Sequence, residues 1–337
     1  MSGKNIRNLL AASFAPLVIG LPAMAEDTSD ERFFPDKVYE WNENADDICV
    51  KVDGTAPRPE NAARAQRTFD VISKSASAQF LMDFALENDV AYCYMPPEEQ
   101  VVGEYISKPS VFTVSSAAPF AEELEVAAHE LRHMWQDKIG LATSTIYNPN
   151  DLILMGKFKE ADAEAYSNLV RFELAAAGVP EFMNYAPGFT YGAITIAFNA
   201  HANINDNQSI NAAMRAGFDA WFSAPPASIF YESRYIEGYE SFVEAANYHY
   251  PVSYASEPLT IETITKLGEL PNGQNYLEQT GGISFETPLY ADLADAAREK
   301  QVENLYKRID QRRSEFCAER PHYEAKFCTP YKTRLAP

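Results

Sequence analysis

The chain has 337 residues, 46% hydrophobic and 12% aromatic, enough for a sizeable packed core and too apolar for wholesale disorder. Forty-eight acidic side chains against 28 basic ones give a formal charge of −20. With no Lys/Arg block to offset phosphate repulsion, nucleic acid and anionic lipid are excluded as expected partners.

In chain order, the first 25 residues read as a signal peptide. Lys4 and Arg7 form a positive start, Leu9 to Leu21 an apolar stretch, and Ala23-Met24-Ala25 a small-x-small cleavage site. Pro16, Gly20 and Pro22 interrupt a run already too short to span a bilayer. No second apolar run follows, so the mature form is expected not to be embedded in a membrane, and its location to be periplasmic or secreted. Oxidising surroundings make disulfides the expected state of Cys49, Cys93, Cys317 and Cys328. The closeness of Cys317 and Cys328 in sequence favours pairing them with each other and Cys49 with Cys93. A zinc site built from the four is disfavoured by the lack of any Cys-x-x-Cys.

Residues 26–48 are polar and acidic. Pro57 and Pro59 open a helical region in which Phe69, Ile72, Ala76, Phe80 and Phe84 recur at steps of three and four until about Asn88. Val90–Met95, Val101–Ile106 and Ser110–Val114 are β-type runs separated by prolines, which predicts a small sheet. Ser110–Val114 is the expected edge for pairing with an extended peptide. Pro119 then starts a helix with Glu122 and Glu123 in its first turn and Gly140 at its end. A second helix is expected from an Asp151 cap to about Ala177. Later helices are predicted over Ser209–Phe222, Ser233–Tyr248 and from Thr287-Pro288 to about Arg312.

The helix after Pro119 contains His129-Glu130-Leu131-Arg132-His133, an H-E-x-x-H pattern. Positions i and i+4 share a helical face, so His129 and His133 can both present a ring nitrogen to one metal ion. Glu130 can reach a water on that ion without coordinating it and serve as general base for attack on a polarised carbonyl. Leu124, Ala128, Leu131, Trp135 and Ile139 form a stripe that packs with or without a metal, and the bland alternative is a pair of exposed histidines.

A catalytic zinc site takes a third protein ligand. Gln136 and Ile139 stand where the longer His-x-x-Gly-x-x-His pattern needs Gly and His, so that version is ruled out. The next helix offers Glu160 and Glu164, one turn apart, with Asp162 pointing elsewhere and Phe158, Ala161, Ala165, Leu169 and Phe172 as the packing stripe. One glutamate can ligate while the other orients a ligand histidine, and Glu160 is preferred as ligand. The alternative for this acidic run is a solvated helix face.

These residues resemble the zincin metallopeptidases, in particular the gluzincin-like group whose third ligand is a downstream Glu. The match rests on His129, Glu130, His133 and Glu160-Ala161-Asp162-Ala163-Glu164, within about residues 58–178. Among such proteins the chain looks most like bacterial exported ones described only as "putative metallopeptidases". The resemblance implies Zn²⁺ on His129, His133 and Glu160, Glu130 as base and proton shuttle, and Glu164 behind a ligand histidine. Leu131-Arg132 is larger than the small residues common inside the motif, and Glu164 is one methylene longer than the familiar Asp. The fold expected is α+β and zincin-like: a small β-sheet packed on an active-site helix, with a mostly helical C-terminal half. The corresponding division is signal peptide 1–25, polar arm 26–48, zincin-like core 49–180, helical part of the same domain 181–312 and disulfide-bearing tail 313–337.

The function expected is an exported zinc-dependent hydrolase, a peptidase acting on a peptide or protein substrate. A zinc hydrolase of another amide, such as one in cell-wall material, would use the same chemistry. The rival from a different class is an inactive zincin-like protein that binds a partner or cell-envelope component, against which Glu130 argues because metal binding alone does not require it. An oxyanion donor is sought among His201, Arg234, Tyr248, His249 and Tyr250, with His249 as first choice. The tyrosines from Tyr231 to Tyr254 are otherwise read as core and rim residues, Trp135 and Gln136 as packing for the motif helix, and His322 as structural or exposed. No Gly-x-Ser-x-Gly elbow, phosphate loop or dinucleotide fingerprint is present.

Overall fold

The apolar periodicity of residues 57–88 is carried by two helices, α1 (Pro59–Ile72) and α2 (Ala76–Glu87), where one continuous helical region was expected. The break is chemical. Ser75 adopts an extended backbone and its hydroxyl caps α2 through the Ala78 N–H. Glu173, from a distant helix, accepts hydrogen bonds from the Ser75 hydroxyl (2.5 Å) and from the Ser77 N–H and hydroxyl (both 2.9 Å).

The computed structural model describes residues 49–51, 59–95, 102–107, 110–141, 146–183, 189–245 and 258–319. The expected signal peptide and polar arm lie outside them, as do Tyr248, His249, Tyr250, His322 and Cys328. All described residues belong to one unit, Arg32–Pro337.

A mixed sheet of four strands has the order β1-β2-β4-β3. β1 (Cys49–Lys51) is three residues long, too short to announce itself in sequence. It runs antiparallel to β2 (Ala91–Met95), with Cys49 opposite Cys93, and the two are joined by the expected disulfide. β2 is parallel to β4 (Val111–Ser115), which is antiparallel to β3 (Gly103–Ile106). The edge expected at Ser110–Val114 is therefore corrected: β4 is bonded on both sides, and β3 is the edge strand beside it, with β1 at the other edge of the described sheet. β4 reads as an interior strand because Val111 to Val114 are all buried.

α3 (Phe120–Lys138) follows the sheet, and α4 (Pro149–Ala176) lies against it. Asn148 caps α4 by accepting the Asp151 N–H, so the cap expected at Asp151 falls three residues earlier and Pro149 takes the first helical position. Asp151 instead accepts the Leu259 N–H at 2.9 Å. Residues 160–170 of α4 are all buried, so the solvated reading of its acidic run does not hold.

The described residues after α4 form mainly helices: α5 (Pro180–Met183), α6 (Phe189–Asn199), α7 (Asn207–Phe222), α8 (Pro225–Ala245), α9 (Ile261–Thr265), α10 (Tyr276–Gln279), α11 (Pro288–Ala291) and α12 (Ala296–Glu319). The last expected helix is thus split. One turn forms after Thr287, and α12 restarts where the Asp295 carboxylate accepts the N–H groups of Ala297 and Arg298. α8 also starts earlier than expected, at Pro225. A large core joins the sheet with α2, α3, α4 and α7, while a second cluster packs Leu152 and Ile153 of α4 against α8 and α12. The architecture is mixed α+β with a helical C-terminal half, as expected from sequence. No helix among the described residues is long and apolar enough to cross a membrane.

Candidate metal centre

α3 buries Leu124, Ala128, Leu131 and Trp135 on the core side and turns His129 and His133 towards α4. Glu160 comes from α4. Its Oε2 lies 3.4 Å from Nε2 of His129 and 3.3 Å from Nε2 of His133, and the two Nε2 atoms are 3.0 Å apart. A tetrahedral ion with ligands at about 2.1 Å needs neighbouring ligand atoms roughly 3.4 Å apart. The three separations meet that requirement. Glu160 Oε2 is also buried and makes no well-aligned hydrogen bond, facing only the two ring nitrogens, so its charge depends on what those rings or an ion between them supply. These three residues can hold a metal ion.

Each histidine is backed on its other nitrogen. Glu164 Oε2 lies 3.5 Å from Nδ1 of His129, and the same carboxylate accepts Asn168 Nδ2 at 3.2 Å. Gln136 Oε1 faces Nδ1 of His133 at 2.9 Å. The Gln136 amide donates to the Lys159 carbonyl (3.0 Å) and to Asp162 (2.8 Å), and Asp162 is itself paired with Arg132 at 2.7 and 3.1 Å. Both members of that ion pair are fully buried, and Arg132 stacks on Trp135 and Tyr166. The inserted Arg132, a departure from the smaller motif residues, is thus accounted for by Asp162 one helix away.

Burial moves the protons of the site. It raises the carboxyl pKa of Glu130 above its ordinary value, although the two histidines pull the other way. Burial also acts to raise that of Glu160, but His133 and His129 outweigh it and hold the carboxyl well below the usual range. Glu130 sits under β3, whose outer edge no other described strand occupies, since a Cβ built on Gly103 would lie 3.3 Å from Glu130 Oε1 and clash with Val126. Only glycine lets β3 approach α3 this closely.

α8 covers the opposite side with tyrosines. Tyr235 donates to Glu160 Oε1 at 3.3 Å, and its ring lies over Gly156, where an added Cβ would be 2.3 Å away. Tyr231 and Tyr191 interact electrostatically with each other and with Glu160 and Glu130, and Tyr191 feels Glu164 most. Burial first, then the Glu160 charge, pushes the Tyr231 pKa well above the usual tyrosine value, which keeps the group a hydroxyl donor. Arg234 reaches the edge strand instead, pairing with Glu104 at 2.9 Å. His201 is exposed after α6 and is not among the converging ligand atoms.

The residues around the candidate site to which the sequence assigned no part in it are Gln136, Asp162, Arg132, Tyr191, Tyr231 and Tyr235. Tyr231 and Tyr235 at i and i+4, opposite a lone glycine inside α4, were the available signal. Nothing local to α6 pointed to Tyr191. Cys317 is disulfide-bonded, and its expected partner Cys328 lies outside the described residues.

Two histidines one helical turn apart and a glutamate from a buried neighbouring helix define an α+β protein able to hold a metal ion. The chain belongs to the family described as "Putative metallopeptidase family (DUF6782)", whose model matches residues 42–277 and so spans the sheet, α3, α4 and the segment up to Tyr276. No curated protein and no solved structure matches the chain.

Proposed function

We propose that the protein is an exported, zinc-dependent peptidase of the HExxH, zincin type, acting in the periplasm or outside the cell. The observation that carries the reading is the convergence of His129 Nε2, His133 Nε2 and Glu160 Oε2 at tetrahedral spacing. Family membership supports a peptidase, and the Cys49–Cys93 disulfide supports an oxidising compartment. In this reading His129, His133 and Glu160 are the zinc ligands and Glu164 orients His129.

The chemistry that zinc supplies in such a site is Lewis acidity, which acidifies water and polarises a carbonyl oxygen. Glu130 accepts the proton of the attacking water and delivers it to the departing amine. An extended peptide laid along β3 passes Gly103 and hence Glu130, with its backbone bonded to the free strand edge. Tyr231, kept protonated by its surroundings, is the described hydroxyl suited to the negative charge that develops on the carbonyl oxygen. His249 remains a further candidate for that role.

The test is elemental analysis of the purified mature protein with a peptide-library assay. About one zinc per chain is expected. Glu130→Gln should keep that zinc and lose roughly 10²- to 10⁴-fold in turnover, whereas His133→Ala should lose the metal. A parent protein that retains no zinc after it is supplied overturns the reading.

A further inference from the structure

Every polar atom of the Gln136 amide has a partner, and the pattern leaves one orientation. Its two N–H groups donate to the Lys159 carbonyl and to Asp162, so its carbonyl oxygen faces His133. Turning the amide over would set its oxygen against a carbonyl and a carboxylate, two acceptor–acceptor contacts in a fully buried place. An acceptor at 2.9 Å requires Nδ1 of His133 to carry a proton, and in the neutral ring this leaves the lone pair on Nε2, which faces Glu160 and His129.

The amide is held in turn. Asp162 accepts from Gln136, from both Arg132 nitrogens and from the Tyr276 hydroxyl at 3.1 Å. Arg132 also donates to the carbonyls of Leu267 (2.5 Å) and Glu269 (3.0 Å). Arg132 cancels the Asp162 charge, so what reaches His133 is a neutral, rigid acceptor. The backing of the two histidines is therefore unequal: a carboxylate behind His129, an amide behind His133.

We propose that Gln136 is a positioning residue of the metal centre, locking His133 in the tautomer that offers Nε2, and that the Arg132–Asp162 pair sets the direction of the Gln136 amide. The inference rests on His133 being a metal ligand. Outer partners of ligand histidines are worth about 10- to 100-fold in metal affinity.

The experiment uses the full mature protein and measures zinc affinity by competition with a chelator, for the parent, for Gln136→Met and for Glu164→Gln. Gln136→Met preserves length and removes the hydrogen bonds. It should weaken zinc binding about 10- to 100-fold and leave KM of the zinc-saturated enzyme unchanged, because Gln136 does not touch substrate. A merely structural role would lower the unfolding midpoint of the metal-free protein and leave zinc affinity alone. A second measurement needs no variant: the His133 Nδ1 proton of the parent should appear in NMR spectra as a slowly exchanging, hydrogen-bonded resonance. If the parent binds zinc and Gln136→Met binds it within twofold, or if that proton is absent, this inference is overturned and the reading of the centre stands. If the parent binds no zinc, both fall.

Discussion

His129 is the residue whose charge the site controls most tightly. Burial alone would drive off its second proton, but Glu160 at Nε2 and Glu164 at Nδ1 outweigh that effect and hold its pKa well above the ordinary histidine value. Zinc must displace this proton to reach Nε2, so uptake should release a proton and apparent affinity should weaken as the pH falls through neutrality. The sign follows from the raised pKa: the lower the pH, the more completely the competing proton is bound. Zinc competition at about pH 6 and about pH 8 checks it, and equal affinities would contradict the protonation described for His129. The convergence of His129 and His133 was legible in the sequence because its geometry is helical arithmetic, one turn of α3. Glu160 over Glu164 was a weaker reading, since both lie on one face of α4 and only the packing angle of the two helices decides which carboxylate meets both Nε2 atoms.

Helices and strands were legible where a pattern was local. α3 announced itself through Pro119, its two first-turn glutamates and Gly140, and three of the four described strands through prolines and β-branched runs. Most of what went unread depended on distant partners. The break between α1 and α2 needs Glu173, the early start of α4 rests on Asn148, whose side-chain oxygen also accepts the Tyr306 hydroxyl of α12, and the interior position of β4 depends on which strands flank it. Gly156 belongs to the same class. In sequence it is a helix-weakening glycine, costing about 0.5–1 kcal/mol relative to Ala, and only the ring of Tyr235 lying across it explains its place. Gly156→Ala should therefore destabilise the protein by about 1–3 kcal/mol through overpacking, despite the gain in helix propensity. Urea unfolding measures this. The displaced Tyr235 should also loosen Glu160, so zinc affinity is expected to fall in the same variant.

Across the whole molecule, α4 is the shared axis, flanked by α3 and the site on one side and by α7 and α8 on others. Its link to the C-terminal half is a buried ion pair: Lys157 donates to Glu232 of α8 at 2.7 Å and to the Asp292 carbonyl at 3.2 Å. Glu232 is fully buried, so Lys157→Met should cost about 3 kcal/mol, the low end for breaking a buried pair, because Ser228 and the Ala294 N–H still donate to the carboxylate. The expected signature is a lower urea midpoint with unchanged zinc affinity, since the pair touches none of the ligands. Loss of zinc affinity in this variant would show that the Lys157–Glu232 pair also fixes how α8 sets Tyr235 against Glu160.

The bonds from Arg132 to Leu267 and Glu269, 135 and 137 positions further along the chain, carry a consequence for the order of events in the protein's life. All three converging ligand atoms come from a short stretch, residues 129–160, that leaves the ribosome early. The scaffold behind His133 is completed only when the segment holding Leu267, Glu269 and Tyr276 has arrived and docked. A chain emerging from its N-terminus would thus present these side chains before the clasp that orders His133, and hold a metal about 10- to 100-fold more weakly until then. By the same logic, a change that undocks that segment would weaken a centre it never touches.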